Sequence, residues 1–261
     1  MTIDKNSITT VLPGDDLSSI QDASTETKQP IKLGDGLKYD AITKKIKATL
    51  GGRLYHRPST NTYFILANSK RYVPRLNDRV ICIVEERIGD YFRVTIPSSS
   101  VGSALLLSTA FNGATKRNRP NLKAGDLLYA RISSCNTDVM EPEVSCECMP
   151  GEIAAGGSKK DWMTDETTYG VLKGGSCIQT SIGLAQELLK PTSVLLDSLA
   201  RAKIAFEICI GLNGFVWVNS DRPEYTILIL NAIQNSQVMT DAQVRGMVKS
   251  LVQTVRTALH D

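Results

Sequence analysis

The middle of the chain alternates apolar and polar residues with the two-residue period of β-strands. Phe92, Val94 and Ile96 illustrate this pattern, because they occupy every second position and the residues between them are more polar. Gly-Asp turns punctuate the segments, and closing short strands into a barrel removes exposed sheet edges. The sequence therefore predicts a five-stranded barrel of the OB type over residues 72–149, with strands at 79–85, 91–96, 104–108, 127–132 and 144–148.

The last part of the chain, residues 150–261, changes to mixed helical and strand-like periodicity. Thr240 and Gln243 have the spacing of a capping box, which predicts reciprocal hydrogen bonds at the start of the final helix. These patterns predict an α+β domain of the KH type, with helices at 182–189, 194–202, 224–235 and 241–259 and strands at 204–210 and 215–219.

The first part of the chain, residues 1–71, is rich in glycine and proline turn signals that separate short segments such as 45–50 and 62–67. This composition predicts a small all-β domain. Because a domain of this size buries little apolar surface, we expect it to lean on a partner. The predicted fold is therefore mixed and multidomain, with domains at 1–71, 72–149 and 150–261.

Composition supports a folded chain but says little about its partners. Of the 261 residues, 42% are hydrophobic and 22% are charged, with a net charge of +3. The positive excess is N-terminal, since residues 1–76 carry 12 Lys and Arg against 7 Asp and Glu. We find no secretory signal and no apolar run of ~18 residues, so we predict a soluble intracellular protein that does not enter a membrane.

The cysteines and histidines favour neither a metal site nor catalysis. Cys146 and Cys148 form a close pair, but a structural zinc site needs four ligands and no second pair stands nearby. His56 and His260 are the only histidines, and neither has a predicted acid or base partner. We therefore predict no enzyme activity, no metal and no other cofactor.

Two groups of residues in the predicted barrel are candidate RNA contacts. Tyr91 and Arg93 share the polar face of one strand, where a ring beside a guanidinium could stack a base and hold a phosphate. Lys116, Arg117 and Arg119 lie in a loop between strands, where cations attract phosphates electrostatically. An ordinary amphipathic surface strand with a solvated basic loop is the alternative interpretation.

Residues 211–214 read Gly-Leu-Asn-Gly, which resembles the GxxG loop that clamps a nucleic-acid backbone in KH domains. A clamping loop would join two helices, whereas Gly211 and Gly214 lie between two predicted strands. We therefore interpret the motif as a tight hairpin with positive φ at Asn213 and Gly214. Trp217, in the following strand, is interpreted as a packing residue.

Several blocks resemble the family of exosome cap subunits called ribosomal RNA-processing protein forty: RYVP at 71–74, GDYFRVTI at 89–96, AFNGATKRNRP at 110–120, GDLLYARI at 125–132 and GLNG at 211–214. The resemblance implies an N-terminal domain that docks on the exosome ring, an S1-type OB barrel and a KH domain. It implies a non-catalytic cap subunit that contacts RNA, the RNase-PH-like ring and other cap subunits, in the nucleus, nucleolus and cytoplasm. It also implies that residues 211–214 pack between the barrel and the KH domain.

Other interpretations remain open from the sequence. The chain departs from the family pattern at Asp35, where relatives tend to have proline, and at Asn77, where they tend to have glycine. A paralogous S1 and KH cap subunit, a purely architectural subunit without RNA contact and a nuclease are the alternatives.

Overall fold

The structure is a computed structural model of the chain, and it describes residues 9–18, 20, 30–57, 60–67, 69–135, 141–149, 167–202 and 204–258. It divides into two compact units, Met1–Ser69 and Lys70–Asp261. The second unit contains both the barrel and the KH-type domain.

The N-terminal unit is a small all-β domain, as predicted. Its apolar residues gather on one side, where Val11, Ile46 and Ile65 are buried. One sheet has the order β1-β5-β6-β2 and a separate hairpin pairs β3 with β4. The strands are β1 (Thr9–Val11), β2 (Lys32–Leu33), β3 (Leu37–Asp40), β4 (Lys45–Ala48), β5 (Gly52–Arg57) and β6 (Thr62–Leu66).

The central barrel has five strands, which confirms the predicted OB-type fold: β7 (Arg79–Ile88), β8 (Tyr91–Thr95), β9 (Ser103–Phe111), β10 (Leu127–Ser134) and β11 (Glu143–Cys146). Neighbours follow the order β11-β9-β8-β7-β10, and pairing of β10 with β11 closes the ring. β9 and β11 run parallel, whereas the other pairs are antiparallel. Phe92, Val94 and Ile96 are buried inside, as the alternation predicted.

The KH-type domain packs helices on a three-stranded sheet with the order β13-β15-β14. Its elements are β13 (Ser176–Gln179), α1 (Ile182–Leu188), α2 (Val194–Arg201), β14 (Phe206–Ile210), β15 (Phe215–Ser220), α3 (Pro223–Ser236) and α4 (Asp241–Ala258). The sequence did not predict β13. A further short strand, β12 (Gly170–Val171), lies in the range predicted for this domain but pairs with β10 of the barrel.

The helix starts follow local sequence signals. Ser181 caps α1 by accepting a hydrogen bond from the Leu184 N–H at 3.2 Å. At α4, both the N–H and the hydroxyl of Thr240 donate to Gln243 Oε1, at 2.9 and 3.0 Å. The hydroxyl of Thr240 thus bonds to the Gln243 side chain, so only the Gln243 half of the predicted reciprocal capping box is present.

In the part of the chain that the structure describes, no helix is long and apolar enough to cross a membrane.

Candidate nucleic-acid interface

The outward face of β8 holds the two candidate contact residues of the barrel. Tyr91 is 40% exposed, and Arg93 follows two positions later on the same face. Phe92 and Val94 between them point into the core, so the register of the strand is fixed by burial. The alternation thus presents a ring and a guanidinium together on the outside of the barrel.

Tyr91 belongs to an exposed apolar row that crosses three strands. Ile88 of β7 is directly opposite Tyr91, and Leu107 of β9 is opposite it on the other side. Ile88 and Leu107 are 42% and 37% exposed. Cross-strand partners on one face have Cβ atoms about 5 Å apart, so the three side chains form one continuous apolar strip. Sequence reasoning missed Ile88 and Leu107, although the barrel pattern could have placed them on this face.

Arg93 is held by an acidic neighbour on β7. Its Nη1 lies 3.3 Å from Glu86 Oε1, and the two residues are directly paired across the strands. Its Nε is buried and has no hydrogen-bond partner within the described residues. Glu85, beside Glu86, accepts a hydrogen bond from the hydroxyl of Thr95. Glu86 therefore partly neutralises the guanidinium, and the buried Nε is not accessible to a ligand.

The basic loop between β9 and β10 divides into two parts. Arg119 folds back onto the barrel, where its Nη1 lies 3.1 Å from Asp90 Oδ1 and 2.9 Å from Ser108 Oγ. Because Asp90 precedes Tyr91 in the chain, Arg119 is brought to the edge of the apolar strip. Lys116 and Arg117 remain exposed in the loop. The structure thus bonds Arg119 to the residue before Tyr91 and leaves the other two loop cations exposed to solvent.

Residues 211–214 form the turn of the β14–β15 hairpin. The Gly211 carbonyl accepts a hydrogen bond from the Gly214 N–H at 3.0 Å, and the Gly211 N–H donates to the Phe215 carbonyl at 2.8 Å. Gly214 has φ +80°, but Asn213 is not in the left-handed region. The prediction of positive φ at Asn213 was therefore wrong, because a turn followed by one left-handed glycine closes this hairpin, as in three-residue hairpin loops.

Asn213 is fully buried and bonds to the barrel. Its Oδ1 accepts from the Ile81 N–H at 3.2 Å, and its Nδ2 donates to the carbonyls of Ile81 and Pro97 at 2.9 and 3.2 Å. The neighbouring Leu212 N–H donates to the Arg79 carbonyl at 2.8 Å. A Cβ on Gly211 would lie 2.8 Å from the Ile81 nitrogen, so glycine permits this close approach. The hairpin tip is thus bonded to β7 rather than open to a ligand.

Trp217 is also enclosed at this junction. It is buried with the barrel core, and its Nε1 donates to the Gly174 carbonyl at 2.9 Å. Tyr129 of the barrel reaches the KH-type domain from the other side, because its hydroxyl donates to the Ile210 carbonyl at 3.2 Å. The indole has no open face of the kind that stacks a base.

The loop between α1 and α2 occupies the place of the backbone clamp in KH domains. It reads Leu-Lys-Pro-Thr-Ser over residues 189–193, without glycine. A GxxG clamp needs glycines so that the phosphate backbone can approach closely. Lys190 of this loop is paired with Glu187 of α1 at 2.5 Å. The glycine pair of the KH-type domain therefore lies in the β14–β15 hairpin, and the loop that corresponds to the clamp has no glycine.

The cysteines are structural in their surroundings. Cys146 is fully buried, and its thiol donates to the Tyr129 carbonyl at 3.7 Å, whereas Cys148 Sγ accepts from Asn112 Nδ2 at 3.1 Å. Burial raises the pKa of the Cys146 thiol well above its usual range and that of Cys82 to about 12.

Within the described residues no group of three or more His, Cys, Asp and Glu side chains could hold a metal ion. His56 bonds Asn61 through Nε2 at 3.0 Å, and His260 lies outside the described residues.

These features define a class of protein in which a closed S1-type OB barrel is joined, through a buried hairpin, to a KH-type α+β domain. A family model for the S1 domain of exosome complex component RRP40 matches residues 72–155, and a KH domain model matches residues 175–224.

Relatives identify the family. A Dictyostelium discoideum protein provisionally named exosome complex component rrp40 is 37% identical over 242 residues, which cover 92% of each chain. Exosome complex component rrp40 of Schizosaccharomyces pombe is 36% identical over 236 residues, covering 89% of this chain and 91% of the relative. The chain belongs to the RRP40 family of exosome complex components. This assignment decides against the paralogous S1 and KH subunit that the sequence left open.

A solved structure shares the fold at lower sequence identity. A crystal structure described as that of a candidate exosome complex RNA-binding protein matches with a TM-score of 0.51 and 17% identity, over 71% of this chain and 99% of its own. At this identity the match concerns the fold alone.

Proposed function

We propose that the chain is a non-catalytic, RNA-binding cap subunit of the exosome. In this role it lines the path by which RNA enters the complex and stabilises the RNase-PH-like ring, together with other cap subunits, during 3′-to-5′ RNA processing and degradation. We place it in the nucleus, nucleolus and cytoplasm. Membership of the RRP40 family, whose members are named exosome complex components, supports the place in the complex.

The observation that carries the RNA-binding role is the exposed ring of Tyr91 with Arg93 on the same outward face of an OB-type barrel, while Arg119 bonds Asp90, the residue before Tyr91. OB barrels bind single strands by stacking bases on aromatic side chains and by tracking the backbone with cations. One stacked base is worth about 1–3 kcal/mol, so a single surface binds weakly. Several such surfaces acting on one strand raise the overall affinity through effective concentration.

The basic loop gives the sharpest test. We would replace Lys116, Arg117 and Arg119 together by glutamine and measure RNA binding by the assembled complex over a range of salt concentrations. Each lost phosphate contact to a single strand lowers the salt slope by about 0.7, so the triple variant should lower it by about 2. Replacing the exposed cations Arg222, Arg245 and Lys249 of the KH-type domain removes the same charge and should leave the slope unchanged. An unchanged slope in the loop variant would remove the loop from the proposal.

The non-catalytic assignment has its own test. The purified chain should leave a single-stranded RNA intact in the presence of Mg²⁺ or Mn²⁺. Progressive shortening that a chelator abolishes would contradict the proposal and favour a metal-dependent nuclease.

A purely architectural subunit is the second candidate, and one observation favours it. Carboxylates of Glu86 and Asp90 already pair with Arg93 and Arg119, and Asp90 is largely exposed. Crosslinking of RNA in the assembled complex separates the two functions. Adducts at Tyr91, Arg93 or residues 116–119 support RNA contact, whereas their absence leaves only the scaffold role.

A further inference from the structure

The sheet of the N-terminal unit has an outward face that the proposed function does not use. In β5 and β6 the side chains alternate, and Leu54, Tyr63 and Ile65 pack on the core of the unit. By the two-residue period, Tyr55 and Phe64 lie on the opposite face. They are directly paired across the two strands.

The two rings are stacked on each other beside an arginine. Their centroids are 5.8 Å apart with an interplanar angle of 17°. The guanidinium carbon of Arg57 lies 5.6 Å from the centroid of the Phe64 ring, within the range of a cation–π contact. Gly34 flanks Phe64, and a Cβ there would lie 3.0 Å from the Phe64 Cβ. Glycine at this position therefore permits the backbone to pack closely against β6 at Phe64.

The charge on this face is positive. Arg53 and Arg57 lie two positions before and after Tyr55 in β5 and therefore share its face, and Lys32 of β2 is paired with Thr62, two positions before Phe64 on β6. None of these three cations forms an ion pair with a carboxylate among the described residues. The carboxylates of Asp16 and Asp40 are paired instead with lysines of β4, at 2.6 and 3.0 Å.

We propose that this face, formed by Lys32, Arg53, Tyr55, Arg57 and Phe64, binds single-stranded RNA. Cations without neutralising carboxylates suit a polyanion, and paired rings beside a guanidinium suit stacked bases, which together are the features of single-strand binding surfaces. An acidic peptide would use the three cations but has no planar groups to stack on the rings. The proposal uses none of the barrel residues and does not depend on the RNA-binding role of the barrel.

The first experiment uses the purified full chain and a single-stranded oligouridylate. Replacing Arg53 and Arg57 by glutamine should lower the slope of log affinity against log salt by about 1.4, which is about 0.7 for each cation. Replacing Arg245 and Lys249 of α4, which are also exposed, is the control of equal charge and should not change the slope. Tyr55→Ala should weaken binding by about fivefold or more, and Tyr55→Phe should retain it.

Photocrosslinking of the unaltered chain tests the surface without a variant that could fail to fold. The expected result is an oligouridylate adduct at Tyr55 or Phe64. The inference is overturned by an unaltered chain that does not bind the oligouridylate, by an unchanged salt slope in Arg53→Gln/Arg57→Gln, or by crosslinks that omit this face. Equal affinity for polyglutamate also overturns it, because the surface would then recognise acidic protein.

The barrel variants Lys116→Gln, Arg117→Gln and Arg119→Gln are measured in parallel. Loss confined to the barrel variants overturns this inference and leaves the proposed function standing. Loss confined to the N-terminal variants supports this inference and removes the barrel face from the proposed function.

Discussion

The outward face of β8 and the hairpin at residues 211–214 carry two motifs that both suggest nucleic acid, in opposite surroundings. Tyr91 on β8 is 40% exposed. Asn213 in the hairpin is fully buried and makes three hydrogen bonds to barrel backbone atoms. The first motif is available to a ligand, whereas the second is occupied by the protein itself.

The partners of a motif therefore decide its role more than its residue types do. Gly211, which could let a phosphate approach, instead lets the hairpin approach the barrel, whereas Gly214 lies close to Thr180 of its own domain. The amide of Asn213 bonds the N–H and C=O of Ile81 as a neighbouring strand would. The hairpin should therefore govern stability and the barrel face should govern binding, and the following variants test that division.

The largest effect is expected for Asn213→Ala. The substitution leaves the buried N–H of Ile81 and two carbonyls without their partners, and each such group costs about 1–3 kcal/mol. We expect the free energy of unfolding, measured by urea denaturation, to fall by about 3–5 kcal/mol, in the range of disrupted buried networks. Asn235→Ala, at an exposed position of α3, should change it by less than about 0.5 kcal/mol. Equal losses in the two variants would contradict a structural role for Asn213.

A smaller loss of stability is expected for Gly214→Ala. Gly89→Ala, in the barrel, is the matched control. Both glycines have positive φ, at +80° and +61°. An added Cβ at Gly214 would lie 2.7 Å from the Thr180 carbonyl oxygen, whereas at Gly89 it would meet nothing within 4 Å. The left-handed conformation alone costs about 1–2 kcal/mol, so Gly89→Ala should lose that amount and Gly214→Ala about 2–4 kcal/mol. Similar losses would mean that the hairpin can shift to accept a side chain.

The sequence predicted the barrel well because its strands are long and are packed on one face. Phe92 and Val94 mark the register of β8, and the structure follows it. It did not predict β12 and β13, which have two and four residues. β12 begins at Gly170, and β13 directly follows Gly175. Such short strands form by pairing with the edges of longer neighbouring strands. Periodicity cannot be recognised over so few residues.

The sequence predicted the cations of the candidate site but not the carboxylates that pair with them. Arg93 and Arg119 were visible as basic residues, whereas their pairing with Glu86 and Asp90 depends on cross-strand register and on the path of a loop. The positive φ expected at Asn213 was wrong because a three-residue loop with one left-handed glycine, Gly214, closes this hairpin. Contacts distant in sequence decided the first outcome, and the length of the hairpin loop decided the second.

On the barrel face, Tyr91→Ala should separate binding from stability. Loss of one stacking ring should weaken RNA binding by the assembled complex by about 1–3 kcal/mol, which is about fivefold to 150-fold. The unfolding free energy should change by less than about 1 kcal/mol, since the side chain is partly exposed. Tyr91→Phe keeps the ring and should bind as the unaltered chain does. A loss of stability as large as that of Asn213→Ala would show that Tyr91 belongs to the packing of the barrel.

The smallest effect, and the one with opposite sign, is expected for Asp90→Asn. The Asp90 carboxylate lies 3.1 Å from Arg119 and competes with phosphate for its guanidinium. Because an exposed ion pair is worth about 0–1 kcal/mol, its removal should raise RNA affinity by up to about fivefold at low salt. The gain should shrink as salt screens the charges. Glu224→Gln, at an exposed position of α3, removes the same charge and should leave affinity unchanged within a factor of about two, because it lies outside the site. An affinity that stays constant or falls in Asp90→Asn would mean that Asp90 positions Arg119 for RNA instead of competing for it.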